Sequence, residues 1–245
     1  MKTQISRTAI IIGASSGIGE ALAHQLNREG WRLGLLARRV EQLEAIRLAL
    51  GPDTAVQYMD VARDDAMAIF ETFLDELGGA DLVIISSGTG HLNRGLDTGL
   101  DVDTVSVNVI GLMKLAQAAM RYFLKRGSGH LVGITSVAAL RGNRDAAAYA
   151  ASKAFQSVYL DGLREFATKS GLPIAVTEAQ PGFVATAMMK TDQPLSPFVR
   201  WLAVASPEKA AHQIARAIRR RAKHAYITRR YGPVAFILKL LPRPG

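Results

Sequence analysis

The chain has 245 residues, 49% of them apolar and 21% charged, a composition that suits one globular body with a sizeable core and argues against long disorder or several domains. It has no cysteine, which removes disulfides, cysteine metal centres and thiol nucleophiles together, and no metal site is expected. The net charge is +9, yet ten basic residues and no acidic one fall between Lys209 and Gly245, leaving 20 basic and 21 acidic residues before them. An anionic partner is therefore to be sought at the C-terminal end.

The opening segment Met1–Gly19 lacks the charged start, long apolar run and cleavage site of a secretory signal, so a cytoplasmic protein is expected. Strand-like apolar runs then alternate with longer segments of helical period. Strands are predicted at Arg7–Ile12, Trp31–Ala37, Ala55–Asp60, Leu82–Ser86, Gly129–Ser136 and Pro173–Ala179. Helices are predicted at Ile18–Glu29, Val40–Leu50, Asp64–Leu77, Val102–Arg126 and Ala148–Ser170. The runs TAIII, LVII and LVGI lack polar alternation, as strands buried on both faces should. The fold class that follows is α/β, a single doubly wound parallel sheet of Rossmann type with helices on both faces. Pro181–Pro207 reads as a long loop leaving a strand end. A further helix is predicted from Pro207 to about Arg221, with Ser206 as N-cap, and His224–Thr228 is a candidate seventh strand.

The first strand runs into Gly13-Ala14-Ser15-Ser16-Gly17-Ile18-Gly19, which opens the first helix. Gly13 can make the tight turn, Gly17 allows close backbone approach and Gly19 lets the helix pack on the sheet. A pyrophosphate would sit on the free amides and positive end of that helix; a ligand-free turn is the plainer alternative. Where NAD-binding folds place an acid after the second strand, this chain has Ala37, Arg38 and Arg39. Two guanidinium groups would grip a 2′-phosphate, which favours NADPH over NADH, although two surface arginines are also an ordinary solvated pair. Asp60 and Val61, at the third strand's end, would flank an adenine.

Tyr149-Ala150-Ala151-Ser152-Lys153 puts a phenol and an ammonium on one helix face. The cation, together with an oxidised nicotinamide, would favour the phenolate, and in reduction the phenol would donate a proton to a carbonyl oxygen. Ser136 would emerge at the carboxyl end of a strand, where open α/β sheets hold ligands, and orient that oxygen. A tyrosine and a lysine four apart mean little alone; Ser136, 13 residues before Tyr149, and Asn108, a poor helix former inside a long helical pattern, supply the context.

These residues resemble the short-chain dehydrogenase/reductase family over nearly the whole chain to about residue 228. The elements that carry the resemblance are the Gly13–Gly19 loop, Asp60-Val61, Asn108, Ser136, the Tyr149–Lys153 segment and Pro181-Gly182-Phe183-Val184-Ala185-Thr186. The resemblance implies that Tyr149 is the general acid/base, that Ser136 orients substrate, and that Lys153 lowers the tyrosine pKa and holds the nicotinamide ribose. It further implies that Asn108 anchors a water in a proton relay through Lys153, and that Pro181, Val184 and Thr186 line the nicotinamide carboxamide. Arg38 matches the position associated with NADP preference, with Arg39 a weaker second. Two departures stand out: Ile12 replaces the usual threonine before the first glycine, and Ile85-Ser86-Ser87-Gly88 replaces the usual Asn-Asn-Ala-Gly. If the two losses of polarity compensate, Ile12 and Ile85 should meet on neighbouring strands. Gly88 still permits backbone approach to the cofactor ribose.

Residues 1–228 are thus expected to form a dinucleotide-binding catalytic domain, including a substrate loop at 183–206. Met188, Met189, Leu195, Phe198, Trp201 and Leu202 in that loop suit an adaptable lid over an apolar substrate or, equally, ordinary core. His91, Leu92 and Asn93, with Ala138–Asn143, are candidate pocket wall. Residues 229–245 form a basic, apolar tail too short to span a bilayer. It is suited to a peripheral contact with an anionic membrane, or to burial against its own body or a second subunit of a homo-oligomer; nucleic acid is not expected. The overall expectation is an NADPH-dependent oxidoreductase interconverting a carbonyl and an alcohol on a lipophilic small molecule. The rival is an NADP-binding interaction protein recruited to a membrane or partner by its tail.

Overall fold

A computed structural model describes residues 7–185 and 204–228. In its first strand, β1 (Thr8–Ile12), alternate side chains go to opposite faces: Ala9 and Ile11 enter one apolar cluster, Ile10 and Ile12 the other. The same division holds in β4 (Leu82–Ile85), with Leu82 and Ile84 on one side and Val83 and Ile85 on the other. A strand covered on both faces has no place for polar alternation, which is why these runs are apolar throughout.

The other main strands are β2 (Arg32–Ala37), β3 (Thr54–Tyr58), β5 (Gly129–Ile134), β6 (Ile174–Pro181) and β9 (His224–Ile227). Together they form one sheet of order β3-β2-β1-β4-β5-β6-β9 with every neighbouring pair parallel. On one face lie α1 (Gly17–Arg28), α2 (Val40–Leu50) and α7 (Pro207–Arg219), anchored by Leu22, Leu26, Leu43, Ile46, Ile214 and Ile218. On the other lie α3 (Ala66–Glu76), α5 (Leu112–Arg126) and α6 (Ala147–Lys169), anchored by Phe70, Phe73, Leu115, Phe123 and Leu160. The strand order reverses between β1 and β4, and a crevice opens there at the carboxyl ends. Ile12 and Ile85 are register partners across that junction, both fully buried, as their paired loss of polarity requires.

Two segments differ from the sequence-based expectation. The helix predicted at Val102–Arg126 begins earlier, as α4 (Thr98–Val105), because Asp97 Oδ1 accepts from Gly99 N at 2.7 Å and caps it. It then passes through a π turn, Ser106–Gly111, before α5 begins. Gly111 permits this: a Cβ there would stand 2.9 Å from the Val61 carbonyl oxygen. The Pro181–Pro207 loop starts and ends in strand, since β7 (Phe183–Val184) and β8 (Val204–Ala205) pair in parallel. Thr186, the six expected lid residues and the 229–245 tail lie outside the described residues.

The capping of α7 follows the expectation, with Ser206 Oγ accepting from Lys209 N at 3.3 Å. The basic C-terminal charge is partly internal to the fold. Arg219 pairs with Glu29, and Arg221 donates to the Pro173 carbonyl at 3.1 Å. Among the described residues no helix is long and apolar enough to cross a membrane.

Two buried polar groups tie the later strands together. Glu178 is fully buried and accepts from Thr135 Oγ1 (2.8 Å), Gln180 Nε2 (2.9 Å) and His224 Nδ1 (2.9 Å). Burial pushes its pKa up, but the hydrogen bonds from His224, Thr135 and Ser157 hold it below the usual range. His130 on β5 meets Thr177 Oγ1 at 2.8 Å, while that hydroxyl donates to the Ala222 carbonyl at 2.6 Å. The hydroxyl proton is committed, so His130 Nε2 is the donor.

Burial, with a smaller contribution from Arg221, lowers the His130 pKa from 6.5 to about 4. Above pH 6.5 the group adds no pH dependence; below it the unfolded chain takes up a proton that the folded one refuses. Stability should therefore fall as pH drops from 6.5 towards 4, by on the order of 3 kcal/mol at most from this residue. Urea denaturation at pH 7 and pH 4.5 should show a smaller acid-induced loss in His130→Gln than in the parent; equal losses would refute the assignment.

Candidate active site

The carboxyl ends of the strands and the loops that leave them enclose a pocket of about 1270 Å³. Its floor begins at the glycine loop. Gly13 has φ +86°, and a Cβ there would lie 2.5 Å from Ser87 N, so the turn out of β1 must be glycine to pass the end of β4. A Cβ on Gly19 would strike the Gly13 carbonyl, so the same residue type brings α1 against the loop. Gly13, Ser15, Ser16, Gly17 and Ile18 line the pocket. Ser16 precedes α1 in extended conformation.

The two arginines after β2 separate in role. Arg39 lies across the loop, donating to Ser15 Oγ from Nε (3.1 Å) and Nη2 (2.9 Å) and to Ser16 Oγ from Nη2 (2.6 Å). Arg38, which the resemblance ranks first, is mostly exposed and stands 4.0 Å from Asp60. Asp60 also closes its own turn by accepting from Ala62 N at 3.1 Å, and Val61 supports the π turn through Gly111. Both Asp60 and Val61 reach the pocket wall.

A dinucleotide fits these residues. The glycine loop presents the start of α1 to the pocket, a ready anion site. Ser87, in the wall beside Gly88, has a buried hydroxyl with no partner among the described residues, as expected where a ligand group supplies the missing bond. Arg39 adds charge at the loop. Pro181, Gly182 and Val184 line the far side.

That far side carries the candidate catalytic residues. Tyr149 and Lys153 stand one turn apart on α6, with Lys153 Nζ 5.7 Å from the centre of the Tyr149 ring. Ser136, just beyond β5, accepts from Ala138 N at 3.1 Å and is side-chain hydrogen-bonded to Tyr149. Strand pairing has ended by then, so Ser136 caps a short 3-10 turn, Val137–Leu140, instead of closing the strand.

Burial and hydrogen bonding act against each other on Tyr149. Burial raises Tyr149, and the bond to Ser136 offsets this only in part. Burial alone lowers Lys153 from 10.5 to about 8. At Tyr149 the cost of a charged phenolate away from water dominates. Tyr149 is thus held as the neutral phenol, the form that can donate a proton.

Asn108 sits in the π turn, fully buried. Its Oδ1 accepts from Thr89 N (2.9 Å), and its Nδ2 donates to the Thr89 carbonyl (2.7 Å) and to Ser152 Oγ (2.9 Å). A carboxamide matched to one peptide unit clamps the chain after β4. The clamp bears on the tyrosine through Gly90, where a Cβ would come within 2.6 Å of the Tyr149 ring.

His91 and Leu92 line the substrate side, as do Ala138, Leu140, Arg141, Gly142 and Asn143. Asn93 does not: it is buried, accepting from Asp97 N at 2.7 Å and donating to Asp101 at 2.9 Å, and so organises the start of α4. Sequence reasoning missed Thr89, Gly90, Ser87 and Gln156. Gln156 is fully buried, accepts from Lys153 Nζ at 3.0 Å and donates to the Asn108 carbonyl at 2.8 Å. Its spacing of three from Lys153, on one helix face, was the available signal.

A family profile described as short chain dehydrogenase matches residues 7–195. An uncharacterized oxidoreductase of Myxococcus xanthus is 37% identical over 199 residues, covering 79% of this chain and 78% of that protein. A structure of a variant actinorhodin polyketide ketoreductase with NADPH superposes with a TM-score of 0.81 at 25% identity, covering 93% of this chain and 97% of that one. A 3-ketoacyl-(acyl-carrier-protein) reductase from Brucella melitensis complexed with NADH gives 0.82 at 21% identity, covering 90% and 96%.

Removing the clamp should be costly. Asn108→Ala leaves the half-buried Thr89 amide and carbonyl without their partner, a loss of about 1–3 kcal/mol. Urea denaturation should show it, and a loss below about 0.5 kcal/mol, the range of ordinary surface substitutions, would mean the clamp is dispensable.

Proposed function

Because the chain belongs to the short chain dehydrogenase family of oxidoreductases, we propose that it reduces a carbonyl on a lipophilic small molecule with NADPH, Tyr149 being the proton donor. The observation that carries this reading is the neutral Tyr149 phenol, hydrogen-bonded to Ser136 and one helical turn from a buried Lys153, in the wall of the nucleotide-sized pocket. The reduced nicotinamide, when bound, supplies the hydride. Ser136 hydrogen-bonds the substrate oxygen, and Tyr149 gives it a proton as negative charge develops there. Lys153 steadies the Tyr149 anion that remains and holds the nicotinamide ribose. Asn108 keeps Gly90 against the phenol so that its direction is set before substrate arrives.

The cofactor is held by Gly13, Ser15, Ser16, Gly17, Ile18 and Gly19 at the pyrophosphate and by Asp60 and Val61 at the adenine. Gly88, Tyr149 and Lys153 serve the ribose, and Pro181, Gly182, Val184 and Thr186 the carboxamide. NADPH is preferred because the Arg39 guanidinium is already placed over Ser15 and Ser16, with Arg38 beside it. Support for a lipophilic substrate comes from Leu92, Val137, Leu140 and Phe183 in the pocket wall. Self-association is supported by Val102, Val105, Val158 and Phe166, exposed large apolar side chains on α4 and α6.

Tyr149→Phe should lower turnover of the best substrate in a carbonyl panel by at least about 100-fold, the usual worth of a general acid; retained turnover would reject the assignment. Failure of the parent to turn over any carbonyl while binding NADPH tightly would favour a cofactor-binding interaction protein instead. Arg39→Ala should weaken NADPH about 10-fold or more, as expected for a charge-assisted phosphate contact, and leave NADH almost unchanged. Equal losses for both nucleotides, measured by fluorescence titration, would remove Arg39 from the phosphate site.

A further inference from the structure

We propose that Gln156 is a positioning residue for the reaction, its side-chain amide tying the Lys153 ammonium to the main-chain carbonyl of Asn108 and so holding the cation at a set place beside Tyr149. The proposal rests on the assignment of Tyr149 and Lys153 to the chemistry.

The hydrogen-bond inventory determines the orientation of this amide. An ammonium only donates and a carbonyl only accepts, so Gln156 must turn its oxygen to Lys153 and its nitrogen to Asn108. The distances, 3.0 Å and 2.8 Å, agree with that orientation. Lys153 has three donors. One goes to Gln156 and one to the Ile134 carbonyl at 3.3 Å, which leaves the third for the pocket that Lys153 lines. Gln156 also reaches the π turn, so the bridge joins α6 to the Asn108 clamp that positions Gly90 against Tyr149.

The surroundings of Lys153 sharpen the effect of this one amide. Ile134 on β5, Asn108 in the π turn and Gly88 after β4 bring no charge to it, and Tyr149 on its own helix is a neutral phenol. Burial lowers its pKa, and among the described residues the ammonium has two neutral acceptors, Gln156 and the Ile134 carbonyl. Taking the Gln156 acceptor away should disfavour the charged form, and replacing it by a carboxylate should favour it.

The test uses the full-length, cofactor-free protein with carbon-13-labelled lysine, the Lys153 signal being assigned by its loss in Lys153→Met. Gln156→Met should lower the Lys153 pKa by about one unit or more, as expected for a lost hydrogen bond to a charge, and Gln156→Glu should raise it by a similar amount. The alkaline limb of turnover with the best panel carbonyl should move in the same directions. A Lys153 pKa unmoved in both variants, even with reduced thermal stability, would leave Gln156 a packing residue and overturn the proposal. Should Gln156→Met fail to fold, the sign of the Gln156→Glu shift decides. A nuclear Overhauser contact between the Gln156 amide and the Lys153 side chain in the parent protein is required in either case, and its absence refutes the bridge. Because the titration needs neither cofactor nor substrate, shifts as expected alongside an active Tyr149→Phe enzyme would discard the catalytic reading while keeping the bridge.

Discussion

One positive charge, kept almost wholly from water on Lys153, organises the centre of this molecule. A buried ammonium is unfavourable unless acceptors surround it, and here they come from three elements: the Ile134 carbonyl on β5, the Gln156 amide on α6 and, through that amide, the π turn that carries Asn108. Each contact restricts the next. The carbonyl fixes the lysine against the sheet, the amide fixes it against the π turn, and the π turn reaches across to the loop after β4. The tyrosine shares the helix with the lysine and inherits its placement.

The remainder of the fold serves to bring those elements to one end of the sheet. Reversal of strand order between β1 and β4 leaves the crevice, and the apolar pair Ile12 and Ile85 closes the sheet just behind it. At β5 and β6, Thr135 is held by the buried Glu178 and by the Ala179 carbonyl, so the residue preceding Ser136 cannot drift. Polar groups inside such a core are worthwhile only when fully satisfied, and the Glu178 and Asn108 networks meet that condition with every bond named. The Ser87 hydroxyl does not, and it stands in the pocket wall where a nucleotide would complete it.

Membership of the oxidoreductase family accounts for the parts list but not for how this chain arranges it. Glycines, serine, tyrosine and lysine recur at the expected spacing, whereas the arginine that reaches the glycine loop is Arg39 and not its predecessor. The backbone explains the difference: Arg39 is the residue just before α2, with its side chain turned back over Ser15 and Ser16, while Arg38 leans towards Asp60 at the end of β3. The phenol is likewise neutral in this site because desolvation acts on both members of the pair in opposite senses, raising the tyrosine and lowering the lysine.

The sequence by itself determined the strand and helix alternation, the parallel sheet and the glycine turn, and it singled out Asn108, Ser136, Tyr149 and Lys153 as candidates. Those are properties of local period and of residues a few positions apart, which short-range sterics make visible. It did not determine that Asn108 clamps Thr89, that Gly90 lies on the phenol, that Arg39 and not Arg38 reaches the glycine loop, or that Gln156 bridges Lys153 to the π turn. It also left Asn93 in the pocket wall when that side chain belongs to the start of α4. These facts depend on distances between elements tens of residues apart, and on how far water is excluded from each group. Only the packed structure sets either quantity, because hydrogen-bond pairing and desolvation are decided after the chain has closed on itself.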